Sequence, residues 1–170
     1  MSLDHTAQQW LSHVAGATRL SRRLTYGLAE VLPILLGACW ALAVLTVQPL
    51  QQHKDWYAVV LVGAVFARFG IVGVISQFVR RERPFLLDHL DPIVHPLTKG
   101  SFPSGHAVVL AYAAVVYCSV APAFFPAWFA GLCAVAAISR IAADVHYPSD
   151  VIAGGVVGAS SAYIVLHFFA

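Results

Sequence analysis

Two histidines of this chain stand in short polar clusters, each beside residues that could bind an oxyanion. His106 ends the sequence Pro-Ser-Gly-His, where a new helix would present free backbone N–H groups and a positive dipole end. His146 lies beyond Ser139-Arg140 and precedes Asp150 by one helical turn. A neutral imidazole held by a carboxylate can act as a nucleophile, and a protonated one can act as a general acid. These residue types indicate phosphoryl transfer.

A third cluster, Arg80-Arg81-Glu82-Arg83-Pro84, supplies further positive charge. The planar guanidinium groups of Arg83 and Arg140 can bind phosphate oxygens in pairs, and a glycine at position 105 lets the backbone approach a ligand closely. Taken singly, each cluster has an ordinary explanation: helix-end arginines anchor at interfaces, Ser104 can be an N-cap, and Asp150 suits a helix N-terminus. Together they favour a phosphate site that works without metal ligands.

The composition places these clusters in a membrane protein. Of the 170 residues, 59% are apolar and 11% are charged, against roughly 45–50% and 25% in soluble domains. The formal net charge of +2 offers no basic face for nucleic acid. Three cysteines lie in apolar runs without ligand-like spacing, so neither a disulfide framework nor a zinc site is expected.

The predicted fold is all-α: an integral membrane bundle of five transmembrane helices in one domain covering residues 1–170. The spans are predicted at residues 24–47, 57–79, 106–120, 127–142 and 148–168, with Pro122 and Pro126 separating the third from the fourth. Residues 1–23 are predicted to form an amphipathic helix in the membrane interface, because apolar residues fall near one face. Five crossings bring all three polar clusters to the same side of the membrane.

The three clusters resemble the motifs of the type 2 phosphatidic acid phosphatase (PAP2) superfamily, which includes lipid phosphatases and vanadium haloperoxidases. Arg83-Pro84, then Pro103 to His106, then Ser139-Arg140 with His146 and Asp150, follow the motif order of that family. The resemblance covers residues 24–168. Small size and the N-terminal amphipathic segment make the chain most similar to the short undecaprenyl-diphosphate phosphatases.

The resemblance implies a role for each motif residue. His146 would attack the terminal phosphorus to give a phosphohistidine, Asp150 would hold the imidazole tautomer, and His106 would protonate the leaving oxygen and then assist hydrolysis. The remaining residues would bind the equatorial phosphate oxygens: Arg83, Arg140, Ser104, the backbone N–H of Gly105, and Lys99. No metal and no cofactor are expected. The implied substrate is undecaprenyl diphosphate, converted to undecaprenyl phosphate.

One position departs from the family pattern. The first motif usually begins with a lysine seven positions before its arginine, and Ser76 stands there. Lys99 or Arg80 could replace that cation, and the sequence does not choose between them. Glu30 and Arg68 lie inside predicted spans, where charges are usually paired. A structural Glu30–Arg68 bridge is predicted, the alternative being that both line a polar cavity.

Other functions and two orientations stay open at this point. Many short undecaprenyl enzymes are expected to carry aspartate at the position of Gly105. Hydrolysis of phosphatidic acid or phosphatidylglycerol phosphate therefore stays an alternative. A non-enzymatic carrier or haem-binding bundle would place histidines within spans, whereas His106 and His146 fall at span ends beside arginines. The positive-inside rule puts the motifs in the cytoplasm, while the resemblance puts them on the external face of the plasma membrane, which we expect. Membrane lipids and a lipid phosphate are the expected partners, and the oligomeric state is not indicated.

Overall fold

The computed structural model describes residues 3–46, 54–88, 93–94, 100–120 and 125–168. Across these ranges the chain is helical and forms no β-strand, apart from an isolated bridge between Glu82 and Gly100. The predicted all-α class is therefore confirmed for the described residues. The helices are α1 (Leu3–Gly16), α2 (Arg19–Tyr26), α3 (Leu32–Thr46), α4 (Lys54–Val65), α5 (Val72–Phe78), α6 (Pro84–Leu87), α7 (Gly105–Val120), α8 (Phe125–Ala142) and α9 (Pro148–Phe168).

Two of the helix junctions are π-helical turns rather than loops. Gly27–Val31 joins α2 to α3, and Phe66–Ile71 joins α4 to α5. A π turn closes i→i+5 hydrogen bonds and therefore holds one residue more than an α turn, and such turns occur frequently at functional sites. Each of these two turns carries a charged residue, Glu30 in the first and Arg68 in the second.

Several helices have the length and apolar character of membrane spans. Residues 58–78, which run through α4 and α5, and α9 each cover 21 residues, with mean hydropathies of 2.4 and 1.7. Only 17% of the residues in either apolar window are buried within the protein, so few of these side chains are fully enclosed by neighbouring helices. Shorter apolar stretches occupy residues 105–119 and 127–142. The membrane character agrees with the prediction, and the count of five crossings stays a prediction.

Helices α7 and α9 pack with their backbones in close contact. A Cβ added to Gly154 would overlap the carbonyl oxygen of Ser104, and one added to Gly158 would overlap that of Val108. The four-residue spacing puts both glycines on one face of α9, and small residues at this spacing allow helices to approach closely. The contact fixes the N-terminus of α7, which carries His106, beside the first turns of α9.

The segment predicted as one amphipathic helix over residues 1–23 forms two helices, because the chain breaks after α1 and Thr18 caps the start of α2. Helix α1 itself is amphipathic and turns polar side chains toward the protein. Gln8 is fully buried and donates to the carboxylate of Asp144 at 2.5 Å, whereas Leu3, Trp10 and Val14 are 91%, 67% and 55% exposed. The outward apolar face suits a lipid surface, and the interfacial location stays a prediction. Inward, α1 contacts the junction between α8 and α9.

Candidate functional site

His146 lies in the turn between α8 and α9 and is 3% exposed. Asp144 reverses the chain there with a φ of 61°, a left-handed conformation that aspartate adopts more readily than most residues. The Nδ1 atom of His146 lies 2.8 Å from the carbonyl oxygen of Ser101. Because a carbonyl oxygen only accepts, Nδ1 carries the proton and Nε2 is unprotonated, with its lone pair available. Burial lowers the pKa of His146 to about 4, so the imidazole is neutral at neutral pH.

Asp150 lies near His146 but bonds mainly to other groups. Its Oδ2 is 3.7 Å from Nδ1 of His146, too far for a hydrogen bond. The same oxygen accepts from the backbone N–H of Tyr147 at 2.8 Å, and Oδ1 accepts from Nη1 of Arg81 at 2.9 Å. The first of these bonds satisfies an N-terminal amide of α9. The imidazole N–H that was predicted to donate to Asp150 donates instead to the Ser101 carbonyl, and Asp150 acts on His146 through its charge.

Arg83 lies against the unprotonated side of the His146 ring. Its Nη1 donates to the carbonyl of Val145 at 2.7 Å and is 3.4 Å from Nε2 of His146. The side chain is buried, with 4% exposure. Burial, together with the positive charges of Arg140 and Arg68, lowers the pKa of Arg83 to about 10, so it stays protonated at neutral pH. A fixed cation therefore adjoins the nitrogen that could attack phosphorus.

Arg140 lies in the last turn of α8 and is held by the first π-helical turn. Its Nη1 donates to the Ala29 carbonyl at 3.0 Å and to the carboxylate of Glu30. Its Nε is buried and has no hydrogen-bond partner among the described residues. The predicted Glu30–Arg68 bridge is therefore wrong. Glu30 pairs with Arg140 because the π turn Gly27–Val31 brings its carboxylate and the preceding carbonyl together at the end of α8.

Arg68, which the sequence argument did not assign to phosphate binding, lies over Gly105. A Cβ on this glycine would fall 2.7 Å from Nη1 of Arg68 and closer still to its Nε and Cζ. His106 follows in the chain, partly buried, and the charges of Arg140, Arg68, His146 and Arg83 all act on it. The sequence feature that could have identified Arg68 as functional was its charge inside an apolar span. The structure thus groups Arg68, Arg83, Arg140, His106 and His146.

Ser104 is fully buried at the N-cap of α7. Its hydroxyl accepts from the backbone N–H of Ala107 at 3.5 Å, and its own N–H donates to the carbonyl of Asp150 at 3.0 Å. The hydroxyl therefore serves the helix N-terminus, and its role in binding phosphate stays a prediction, as does that of the Gly105 N–H. Lys99 lies outside the described residues.

Helix α1 is connected to the surroundings of His146 through Asp4. The Asp4 carboxylate accepts from Arg81, from the Ser149 hydroxyl at 2.6 Å and from the Ser149 N–H at 3.0 Å. Arg81 also donates to Asp150, and its guanidinium carbon lies 3.8 Å from the centre of the Tyr147 ring. Arg81, read from sequence as an interfacial anchor, thus connects the N-terminal helix to the carboxylate beside His146.

We expect Asp4→Ala to lower kcat by roughly three- to tenfold, with little change in KM. Arg81 would lose one of its two carboxylate partners, and a charge-assisted hydrogen bond is worth about 1.5–3 kcal/mol before solvent exposure reduces it. Asp88→Ala is the matched control, because Asp88 binds α1 through His5 at 3.2 Å without contacting Arg81. Steady-state kinetics and thermal unfolding of both variants would check this. Equal kinetic losses in the two would contradict a specific role for Asp4.

A family model described as the PAP2 superfamily matches residues 56–170. A decaprenylphosphoryl-5-phosphoribose phosphatase of Mycolicibacterium smegmatis is 41% identical over 123 residues, which cover 71% of this chain and 61% of the relative. An undecaprenyl-diphosphatase of Sulfolobus acidocaldarius is 33% identical over 92 residues, 52% of this chain and 44% of the relative. The chain thus spans less than two thirds of the length of either curated relative.

Two solved structures share the fold. The crystal structure of Aquifex aeolicus LpxE superposes with a TM-score of 0.79 over 99% of this chain and 97% of that chain, at 19% identity. The phosphatidylglycerolphosphate phosphatase of Bacillus subtilis, described as a transmembrane PAP2-type enzyme, gives a TM-score of 0.65 over 98% of this chain and 84% of that chain, also at 19% identity. At these identities the likeness concerns the arrangement of helices.

Proposed function

Because the chain belongs to the PAP2 superfamily, we propose that it is an integral-membrane lipid phosphatase acting through a phosphohistidine. The observation that carries this proposal is the unprotonated Nε2 of His146, held 3.4 Å from the Arg83 guanidinium within a group of cations that also surrounds His106. Phosphoryl transfer depends mainly on positioning and electrostatic stabilisation. A buried nucleophile among fixed positive charges meets both requirements.

The first step of the proposed mechanism transfers the phosphoryl group to the protein. Nε2 of His146 attacks phosphorus, and an N–P bond forms as the P–O bond to the leaving group breaks. His106 donates a proton to the leaving oxygen. The proton on Nδ1 stays bonded to that nitrogen and is donated in a hydrogen bond to the Ser101 carbonyl, while the Asp150 carboxylate stabilises the positive charge that develops on the ring.

The second step releases inorganic phosphate. His106, now neutral, accepts a proton from a water molecule whose oxygen attacks phosphorus. The N–P bond breaks and its electron pair returns to Nε2, which restores neutral His146. Arg83, Arg140, Ser104 and the Gly105 N–H are proposed to hold the equatorial oxygens in both steps, with Lys99 as a further ligand, and no step requires a metal ion.

We propose a polyprenyl-linked phosphate as the substrate class. The motif resemblance favours undecaprenyl diphosphate, and a relative at 33% identity bears the name undecaprenyl-diphosphatase. The relative at 41% identity favours a second candidate, a decaprenyl-linked phosphoribose whose phosphate is a monoester. Both substrates combine a terminal phosphate with a long prenyl chain. The apolar helices around the site suit such a chain.

We further propose that residues 1–170 form one domain of the plasma membrane, with the site on the external face. This follows the resemblance to enzymes that recycle a lipid carrier. The arginines of α2 and those that follow α5 favour the opposite orientation by the positive-inside rule, so orientation calls for direct measurement on the expressed protein.

Phosphate release by detergent-purified protein tests the proposal. Undecaprenyl diphosphate, decaprenylphosphoryl-5-phosphoribose, phosphatidic acid and phosphatidylglycerol phosphate would be compared with and without a chelator. We expect the prenyl substrates to give the highest kcat/KM, the chelator to have no effect, and vanadate to inhibit. Loss of activity on chelation would contradict the metal-free mechanism. Vanadate-dependent halide oxidation would indicate a haloperoxidase, and a visible absorption band would indicate a haem protein.

A further inference from the structure

The phosphate site has lost one cation relative to the family pattern, and Ser76 does not replace it. The Ser76 hydroxyl donates to the Gly73 carbonyl of its own helix at 2.9 Å. A serine carries no charge, so the first motif contributes only Arg83 to the site. A phosphoryl group in transfer spreads negative charge over three oxygens, and a fixed positive charge should compensate for the missing lysine.

Arg68 has the right charge and position for this role. It lies eight residues before Ser76, in the π-helical turn Phe66–Ile71. Its guanidinium rests on Gly105, next to the amide groups that begin α7 and next to His106. The charge of Arg68 also acts on Arg83. The side chain therefore reaches the face of α7 from which the predicted phosphate would be bound.

Within the described part of the chain, no contact of Arg68 neutralises its charge. Among the described residues no carboxylate pairs with it, since Glu30 binds Arg140 and Asp150 binds Arg81. The Phe69 ring, with its centroid 5.0 Å from the guanidinium carbon, covers the cation without neutralising it. A charge inside an apolar helix is costly unless it is paired or functional. A bound phosphate would provide the missing negative charge.

We propose that Arg68 is a phosphate-binding residue of this chain, in place of the lysine that the family carries at the position of Ser76, and that Gly105 makes room for it. The proposal rests on the lipid phosphatase function given above. Any side chain at position 105 would occupy the space of the guanidinium. Arg68 and Gly105 therefore form one structural unit, in which the glycine leaves the space that the guanidinium fills.

The first test replaces Arg68 by glutamine in the purified protein. We expect kcat/KM to fall about 10- to 100-fold, the range of a lost charge-assisted hydrogen bond, and inhibition by inorganic phosphate to weaken to a similar degree. Arg80→Gln is the comparator, because Arg80 is exposed just beyond α5 and was the rival replacement for the lysine. A loss in Arg80→Gln with none in Arg68→Gln would overturn the proposal.

Variants that restore a positive charge distinguish a loss of phosphate binding from a loss of folding. Ser76→Lys restores the family cation, and in the Arg68→Gln background it should recover at least part of the lost phosphate affinity. Arg68→Lys keeps a charge and should lose less activity than Arg68→Gln. Thermal unfolding midpoints show whether each variant is folded. If folded Arg68→Gln retains wild-type kcat/KM and phosphate inhibition, Arg68 does not bind phosphate.

A double-mutant cycle tests the pairing with Gly105. Gly105→Ala should displace the guanidinium and reduce kcat/KM in the wild-type background, and it should add little in the Arg68→Gln background. Additive losses would show that Gly105 acts independently, which would overturn the paired unit. Wild-type protein that hydrolyses no lipid phosphate at all would instead refute the proposed function, so the two failures are distinguishable.

Discussion

Replacing His146 with alanine is expected to abolish turnover, with kcat at least about 10⁴-fold lower, as found when an enzyme loses its nucleophile. The imidazole is the only protein group that the proposed mechanism bonds to phosphorus. Its Nδ1 is fixed by the Ser101 carbonyl at 2.8 Å, and Arg83 lies 3.4 Å from its Nε2. Arginines that remain in the variant could still bind substrate, so KM should change far less than kcat.

Two measurements check this result. Wild-type protein quenched with alkali during turnover of ³²P-labelled substrate should carry an acid-labile phosphoramidate, and His146→Ala should carry none. His167→Ala is the control: His167 is an exposed histidine in the last turn of α9, and this variant should keep full activity. Wild-type turnover in folded His146→Ala, or an unchanged label, would eliminate the phosphohistidine.

His106→Gln is expected to lower kcat by about 10²–10⁴-fold, the range of a general acid–base group. The loss should depend on the leaving group. A substrate with an activated leaving group, such as p-nitrophenyl phosphate, needs little protonation in the first step. Its phosphorylation rate should therefore fall much less than that of a lipid substrate.

The hydrolysis step of the proposed mechanism provides a second way to test the role of His106. Hydrolysis of the phosphohistidine also uses His106 in the proposed mechanism, so His106→Gln given the activated substrate should accumulate labelled protein. His13→Gln, an exposed position on α1, serves as the control. A uniform loss on lipid and activated substrates, without accumulation, would show that His106 is not the proton donor.

The sequence was informative where the physical cause is local. Long apolar runs predict helices, and the predicted boundaries at residues 142 and 148 coincide with the end of α8 and the start of α9. His146, Arg83 and Arg140 were assigned to one site because membrane crossings alternate sides, and the structure brings these three together. Ser104 was assigned to phosphate binding with an N-cap as the alternative; its hydroxyl accepts from the Ala107 N–H as an N-cap does, and its phosphate role stays a prediction.

The partners that the sequence did not reveal each have a physical reason. The bridge expected between Glu30 and Arg68 assumed regular helices, whereas both residues lie in π-helical turns that change the direction of side chains by an amount no hydropathy pattern reveals. The Ser101 carbonyl that binds His146 is a backbone group, which any residue could supply. Arg81 and Asp4 are far apart in sequence and meet only because α1 turns its polar face inward.

The two π turns suggest how the charge of such a site can change during evolution. A π turn holds one residue more than an α turn, and one residue corresponds to about 100° of helical rotation. Small insertions or deletions in the second span could thus bring a different side chain to the phosphate while the signature motifs stay intact. Surveys that align only those motifs would score such a protein as lacking a ligand, although the cation had moved to another turn.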